Sequence, residues 1–371
     1  MKRIVLCFDG TWNTPDDSGD VDANASTNVH RLYEAVLPKD GAGIAQARWY
    51  QAGVGTRWYN RISGGIAGVG LTRNLLDGYK RLVELYEEGD QIFIFGFSRG
   101  AYTARSLGGL IRNCGVLREP RVGLINEAHQ IYRTRGDGAD SEQAAAFRRK
   151  FARETEIECL GVWDTVGALG IPLRSFDFFN RQFYEFHDTK LSGMVKNAFQ
   201  ALALDEHREP YQATMWNPST RPGQRLEQAW FPGAHANVGG GYRNDRQAEI
   251  ALCWMMNRAA ECGLALDPAR RPVLSEPHWI EDLKDSFALF LRGLFRRVSE
   301  RYYRPLGTTQ FGDETLDDSA LQRFRLRADY RPGNPVGPHL KEFLDVPDLV
   351  EQAQNAQAWH VLQGLANRSG S

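Results

Sequence analysis

Gln91-Ile-Phe-Ile-Phe-Gly-Phe-Ser-Arg-Gly-Ala-Tyr-Thr-Ala-Arg105 joins an apolar run to a run of small residues through Gly96-Phe97-Ser98-Arg99-Gly100. The branched and aromatic residues from Gln91 to Phe95 predict a buried strand. Roughly Ala101 to Asn113 predicts a helix whose face of Ala104, Leu107, Gly108 and Ile111 packs closely on a sheet. A serine between such a strand and helix, with glycine two residues before and two after, has the form of a nucleophile elbow. The turn holds the serine in a strained conformation, and only small residues such as Gly96 and Gly100 let strand and helix approach so closely. It aims Ser98 Oγ out of the sheet at a helix N-terminus, where the backbone N–H of Arg99 serves as an oxyanion donor.

Working outward, further strands are predicted near Arg3 to Phe8, Gln46 to Gln51, Ile157 to Val162 and Gln228 to Phe231. Leu71, Leu75, Leu76, Tyr79, Leu82, Val83 and Tyr86 recur at helical spacing before Gly89, which makes a βαβ unit, and another helix runs from about Arg246 to Cys262. The alternation predicts an α/β fold, α/β-hydrolase-like, with a mostly parallel central sheet flanked by helices. No strand is expected beyond Gly263. The chain is therefore expected to divide into a catalytic domain over 1–262 and a helical C-terminal region over 263–371 packing on it. An insertion or lid is expected over about 167–225, marked by the aromatic stretch Phe176 to Phe186.

A catalytic serine needs a base and the base an orienting carboxylate, in this fold in the order Ser, acid, His, each at the carboxyl end of a later strand. Asp164 ends the strand from Ile157, and His235 follows the strand through Phe231 and precedes Gly239-Gly240-Gly241. The other seven histidines stand in helical or irregular polar stretches and read as surface or capping residues. The rival acid is Asp205, which reads as the end of a helix, where a salt bridge with Arg208 is the simpler role. The first strand runs into Phe8-Asp9-Gly10-Thr11-Trp12-Asn13, and Gly10 or Thr11 is expected to give the second oxyanion N–H. Asp9-Gly-Thr also resembles phosphotransferases with an aspartyl nucleophile, but Thr11 stands where they place a second Asp, so Asp9 is kept as an alternative acid or polar site residue. Gly64-Gly65-Ile-Ala-Gly-Val-Gly70 lacks the Lys-Ser/Thr of a phosphate-binding loop.

The chain has 371 residues, 42% of them hydrophobic and 25% charged, the proportions of an ordinary globular protein. Its formal charge of −1 argues against a nucleic-acid partner. Five cysteines without a CxxC pair argue against a disulfide framework or a zinc ribbon. Asp9 cuts short the N-terminal apolar run, and no stretch approaches the roughly 20 apolar residues of a membrane span. A soluble, cytoplasmic protein is expected, with signal-less export compatible with the same sequence. Residues 284–301, with Phe287, Phe290 and Phe295 among Arg292, Arg296, Arg297 and Arg301, have the pattern of a basic amphipathic helix, for which packing on its own domain is the simpler role and peripheral membrane contact the alternative. No metal or organic cofactor is required by the chemistry of the elbow.

Phe8-Asp-Gly-Thr-Trp-Asn13, Thr27-Asn-Val29, Gly53-Val-Gly-Thr56, the elbow block through Arg105, Gly161-Val-Trp-Asp-Thr-Val166, Leu204-Asp-Glu206 and Trp230-Phe-Pro-Gly-Ala-His235 together resemble one bacterial and fungal family. It is the uncharacterised α/β-hydrolase family related to the type VI secretion phospholipase effectors, and the resemblance covers roughly residues 2–260. It implies Ser98, Asp164 and His235 as the triad, and a lipase, phospholipase or carboxylesterase acting on acyl esters of lipids. One departure stands out: relatives usually carry His-Ser-Asp-Val-Gly-Gly-Gly-Tyr where this chain has His235-Ala-Asn-Val-Gly-Gly-Gly-Tyr242. Were that acid the histidine's partner, Asn237 could not stabilise an imidazolium. Asp164 is therefore the expected partner. The competing functions are a non-catalytic binding protein on the hydrolase fold, and a phosphohydrolase working through Asp9.

Overall fold

The computed structural model describes residues 1–10, 26–53, 64–134, 138–166, 191–217, 221–243, 245–293, 295–297, 299–309 and 314–337. Nine strands occur among them: β1 (Arg3–Phe8), β2 (Gln46–Gln51), β3 (Gln91–Phe97), β4 (Val116–Leu117), β5 (Ala152–Arg153), β6 (Ile157–Trp163), β7 (Val195–Ala203), β8 (Arg225–Phe231) and β9 (Glu314–Leu316). Seven form one sheet in the order β2-β1-β3-β6-β7-β8-β9, and each described pairing in it is parallel. The remaining two, β4 and β5, make a small antiparallel pair.

Parallel strands buried on both faces read as continuous apolar runs, and β1 shows why. Ile4, Leu6 and Phe8 enter one core with Ile92 and Ile94 of β3, while Val5 and Cys7 enter the other with Phe93, Phe95 and Phe97. Helices cover both faces. On the first lie α2 (Gly64–Leu85), α3 (Arg99–Cys114), α4 (Val122–Arg133) and α5 (Glu142–Phe151); on the second lie α1 (Asn28–Ala35) and, after the short turn α6 (His235–Gly239), the long α7 (Gln247–Glu261). The periodic residues of α2 do what their spacing predicts: Leu75, Tyr79, Leu82, Val83 and Tyr86 are buried in the first core.

Three expectations require correction. Residues 195–203 lie inside the expected insertion, yet they form β7, a central strand, and Asp205 follows that strand instead of ending a helix. The C-terminal region is not purely helical, because β9 pairs with β8 from Gln228↔Glu314 to Trp230↔Leu316 and extends the sheet. Its short run is anchored by Glu314, fully buried, which accepts from Trp230 Nε1 (3.0 Å) and from the N–H groups of Gly307, Thr308 and Thr309 (2.8, 2.7 and 2.7 Å). Residues 284–301 do not make one amphipathic helix. They form α9 (Ser286–Leu289), after α8 (Glu276–Ile280), and then single turns at Phe290–Gly293 and Phe295–Arg297. Phe287, Phe290 and Phe295 are buried together, with Phe290 also against Tyr211, so these three rings face protein instead of a bilayer. A last helix, α10 (Asp318–Leu326), follows β9. No described helix is long and apolar enough to cross a membrane, and the aromatic stretch Phe176 to Phe186 lies outside the described residues.

Candidate active site

The carboxyl ends of parallel strands are where an open α/β sheet places its ligands, and here the predicted residues follow those of β1, β3, β6 and β8. Ser98 sits between β3 and α3 at φ 58°, ψ −122°. Asp164, directly after β6, has φ 39°; these two are the only described non-glycine residues with positive φ. Such conformations cost on the order of 1–3 kcal/mol each and persist only where the surroundings enforce them. For Ser98 the enforcement is steric. A Cβ on Gly96 would run into the backbone of Gly100 and Ala101, and one on Gly100 into the backbone of Phe8 and Asp9. The Ser98 side chain makes no capping bond to its own helix, and its N–H donates to Trp163 O at 3.1 Å, tying the elbow to the residue before Asp164.

His235 opens α6, and its Nδ1 lies 2.6 Å from Asp164 Oδ2. The imidazole is 4.6 Å from the Phe97 ring, beside Ser98, and meets Tyr211 edge-on at 5.3 Å. An ionised carboxylate only accepts, so Nδ1 carries the hydrogen and Nε2 keeps the lone pair with which it can act as a base. Asp164 is fully buried. Burial alone would push its carboxyl up; the Arg304 guanidinium charge and the bond from His235 outweigh that and hold it well below the usual carboxylate range.

Arg304 is the residue that sequence reasoning missed. Its Nη1 and Nη2 donate to Asp164 Oδ1 and Oδ2 at 2.6 and 3.0 Å, and it also donates to the carbonyls of Ala203 and Tyr211. It is 1% exposed. Stripping so deeply buried a carboxylate of its cation costs about 3–5 kcal/mol. Glu206, which the sequence presents only within the Leu204-Asp-Glu206 block, also belongs to the site. Fully buried, Glu206 accepts from Arg208 Nε and Nη2 at 2.8 Å, from Ser286 Oγ at 3.1 Å and from the backbone N–H of His235 at 3.2 Å. Burial raises its carboxyl, but the Arg208 charge and hydrogen bonds bring it down to about 2. The salt bridge expected between Asp205 and Arg208 is thus made by Glu206. Asp205 instead accepts from Gly233 N–H (2.7 Å) and Tyr330 Oη (3.0 Å), bracing the turn ahead of His235.

On the other side of the elbow, Gly10 packs so closely that a Cβ there would stand 3.1 Å from Ser98 Cβ and 3.7 Å from its Oγ. Its N–H, expected at the oxyanion, donates to Asp9 Oδ1 at 2.7 Å. Thr11 lies outside the described residues. Asp9 also accepts from Thr27 Oγ1 and from Tyr50 Oη (2.6 Å), and burial pushes its carboxyl above the ordinary range despite the three donors.

The family described as "T6SS, Phospholipase effector Tle1-like, catalytic domain" matches residues 2–258. The chain belongs to that family. Uncharacterized protein YEL023C of Saccharomyces cerevisiae (strain ATCC 204508 / S288c) is 29% identical over 241 residues, 58% of this chain and 33% of that protein. A crystal structure of an uncharacterized protein from Pseudomonas aeruginosa aligns at 19% identity and TM-score 0.42, over 74% of this chain and 48% of that one. The structure of the Tle1 effector bound to the VgrG spike from the Type 6 secretion system aligns at 21% identity and TM-score 0.36, over 66% and 51%. The chain thus spans a third of the yeast relative's length and about half of each solved relative's.

In this Tle1-like domain the departure at Asn237 falls away from the histidine's acid. Asn237 Oδ1 accepts from Ala234 N–H at 3.1 Å and its Nδ2 reaches the Asp245 carboxyl at 3.3 Å, so it shapes the α6 turn. Nδ1 of His235 is satisfied by Asp164 alone among the described residues.

Proposed function

We propose that this domain is a serine hydrolase of acyl esters, with lipid and phospholipid carboxylesters as its substrate class. Ser98 Oγ attacks the acyl carbonyl carbon while its proton passes to His235 Nε2. The tetrahedral intermediate collapses, the alcohol leaves with that proton, and water repeats the sequence on the acyl-enzyme. Asp164 orients His235 and stabilises the imidazolium. The Arg99 N–H, at the positive end of α3, supports the oxyanion; a second donor from Gly10 requires the Asp9 carboxylate to turn off its N–H.

The observation that carries this reading is the 2.6 Å pair between His235 and a fully buried Asp164, seated on the aromatic ring next to the elbow serine. Membership of the Tle1-like family supports the lipid substrate. Neither competing function gains support: three donors occupy the Asp9 carboxylate, which weakens it as a phosphoryl nucleophile, and Asn237 bonds away from His235. The test is acyl release from p-nitrophenyl esters of increasing chain length and from phosphatidylglycerol and phosphatidylethanolamine vesicles. Ser98→Ala is expected to abolish turnover, at least 10⁴-fold; equal release by the mutant excludes the serine mechanism.

A further inference from the structure

We infer that Arg304 is a positioning residue of this site: it fixes the Asp164 carboxylate against His235 and offsets that carboxylate's charge beside the imidazole. The inference rests on the serine-hydrolase reading. It also places part of the working site outside the span that the family matches, since Arg304 lies beyond residue 258.

The geometry is a fork laid on a carboxylate, both guanidinium nitrogens each meeting one oxygen, which fixes the plane of the acid as well as its place. Asp164 Oδ1 accepts in addition from Ala203 N–H at 2.9 Å, which leaves Oδ2 directed at His235. Arg304 is itself immobilised. The Ala203 and Tyr211 carbonyls take the second hydrogen of Nη1 and of Nη2, and Asn334, fully buried, donates both to Arg304 O and to Leu204 O at 2.9 Å. A guanidinium held this firmly on both sides defines one orientation of the acid.

Its charge has a second effect. The ionisable groups around His235 are Asp164 after β6, Glu206 after β7, Arg208 on Glu206, Arg304 on Asp164, and the Tyr211 phenol at its edge. Two anions and two cations balance. With Arg304 neutralised, Asp164 faces the imidazole uncompensated and favours its protonated form, which is inert as a base. The acidic limb of the rate profile then moves to higher pH.

The experiment measures kcat/KM against pH, from 5 to 9, on a short-chain p-nitrophenyl ester. It uses the full chain as wild type, Arg304→Gln, Arg304→Lys and Ser98→Ala, with active sites counted by fluorophosphonate labelling. Per labelled site, Arg304→Gln is expected to lose about 10–100-fold in kcat and to move the acidic limb up by about one pH unit. Arg304→Lys keeps the charge without the fork, so it is expected to lose kcat while its limb stays within a few tenths of wild type. An Arg304→Gln limb superimposable on wild type, or activity lost only in proportion to labelled sites, overturns the inference. Where Arg304→Gln fails to fold, Arg304→Lys decides: a lowered kcat with an unmoved limb supports it, and wild-type kcat overturns it. Hydrolysis surviving in Ser98→Ala overturns the serine mechanism itself, through a separate arm.

Discussion

Asp164 and Asp9 are both buried carboxylates at the ends of parallel strands flanking the elbow, and each accepts several hydrogen bonds, yet they are driven in opposite directions. Asp9 takes its bonds from neutral donors: the Gly10 N–H, the Thr27 hydroxyl and the Tyr50 phenol. Asp164 takes two of its bonds from the Arg304 guanidinium and one from an imidazole. Three neutral donors do not repay the desolvation of a charge, whereas one guanidinium in contact does. The difference fits the proposed roles: the acid paired with His235 is held ionised by a cation, and the acid paired only with neutral donors is not.

The sharpest way to break the contrast is Asp164→Asn. It removes the charge that stabilises the imidazolium and permits the wrong tautomer of His235, so kcat is expected to fall by about 10³–10⁴ with little change in KM, measured by steady-state ester hydrolysis. Asp9→Asn is expected to cost less than about tenfold in kcat, because the side chain stays able to accept from the Gly10 N–H.

The two acids should also leave opposite marks on stability. The folded-state pKa of Asp164 is depressed, so its contribution is present at neutral pH and is lost as pH falls through the carboxylate range. That of Asp9 is raised, so its contribution is full at low pH and is lost as pH rises through the raised value. Denaturant midpoints from pH 4 to 8 check this: Asp9→Asn should gain on wild type as pH increases, and a gain that shrinks with pH would contradict the contrast.

What the sequence made legible follows the same division between local and distant causes. The elbow, Asp164 and His235 each announce themselves within a few residues, as a strand, a turn and a glycine run, and the structure brings the histidine onto the acid. Strand β7 did not, because Val195-Lys-Asn-Ala-Phe-Gln-Ala-Leu-Ala203 is poor in branched residues; its buried Gln200 is satisfied by the Thr214 carbonyl instead of betraying a surface. Arg304 was invisible for a different reason. It stands 140 residues from its partner in a stretch without periodicity, Tyr302-Tyr-Arg-Pro305, and no local pattern records a pairing of that span. Sheet edge β9, three residues long, depends on the long-range anchoring of Glu314.

The smallest effect is expected at position 237. Asn237→Asp puts an acid where Nδ2 now stands 3.3 Å from Asp245, whose carboxyl burial has pushed up to about 7. Below that pH the Asp245 carboxyl carries a proton and can donate to the new carboxylate, so the substitution is expected to be nearly neutral. Above it two carboxylates share one turn, and stability is expected to fall by roughly 1–2 kcal/mol. The deficit should therefore grow with pH between 6 and 8.5 in denaturant titrations. Turnover per labelled Ser98 should stay within about twofold of wild type, since Asn237 bonds to Ala234 and Asp245 and not to the imidazole. A large gain in kcat would mean that the histidine recruits its acid from position 237, and the assignment of Asp164 would have to be abandoned.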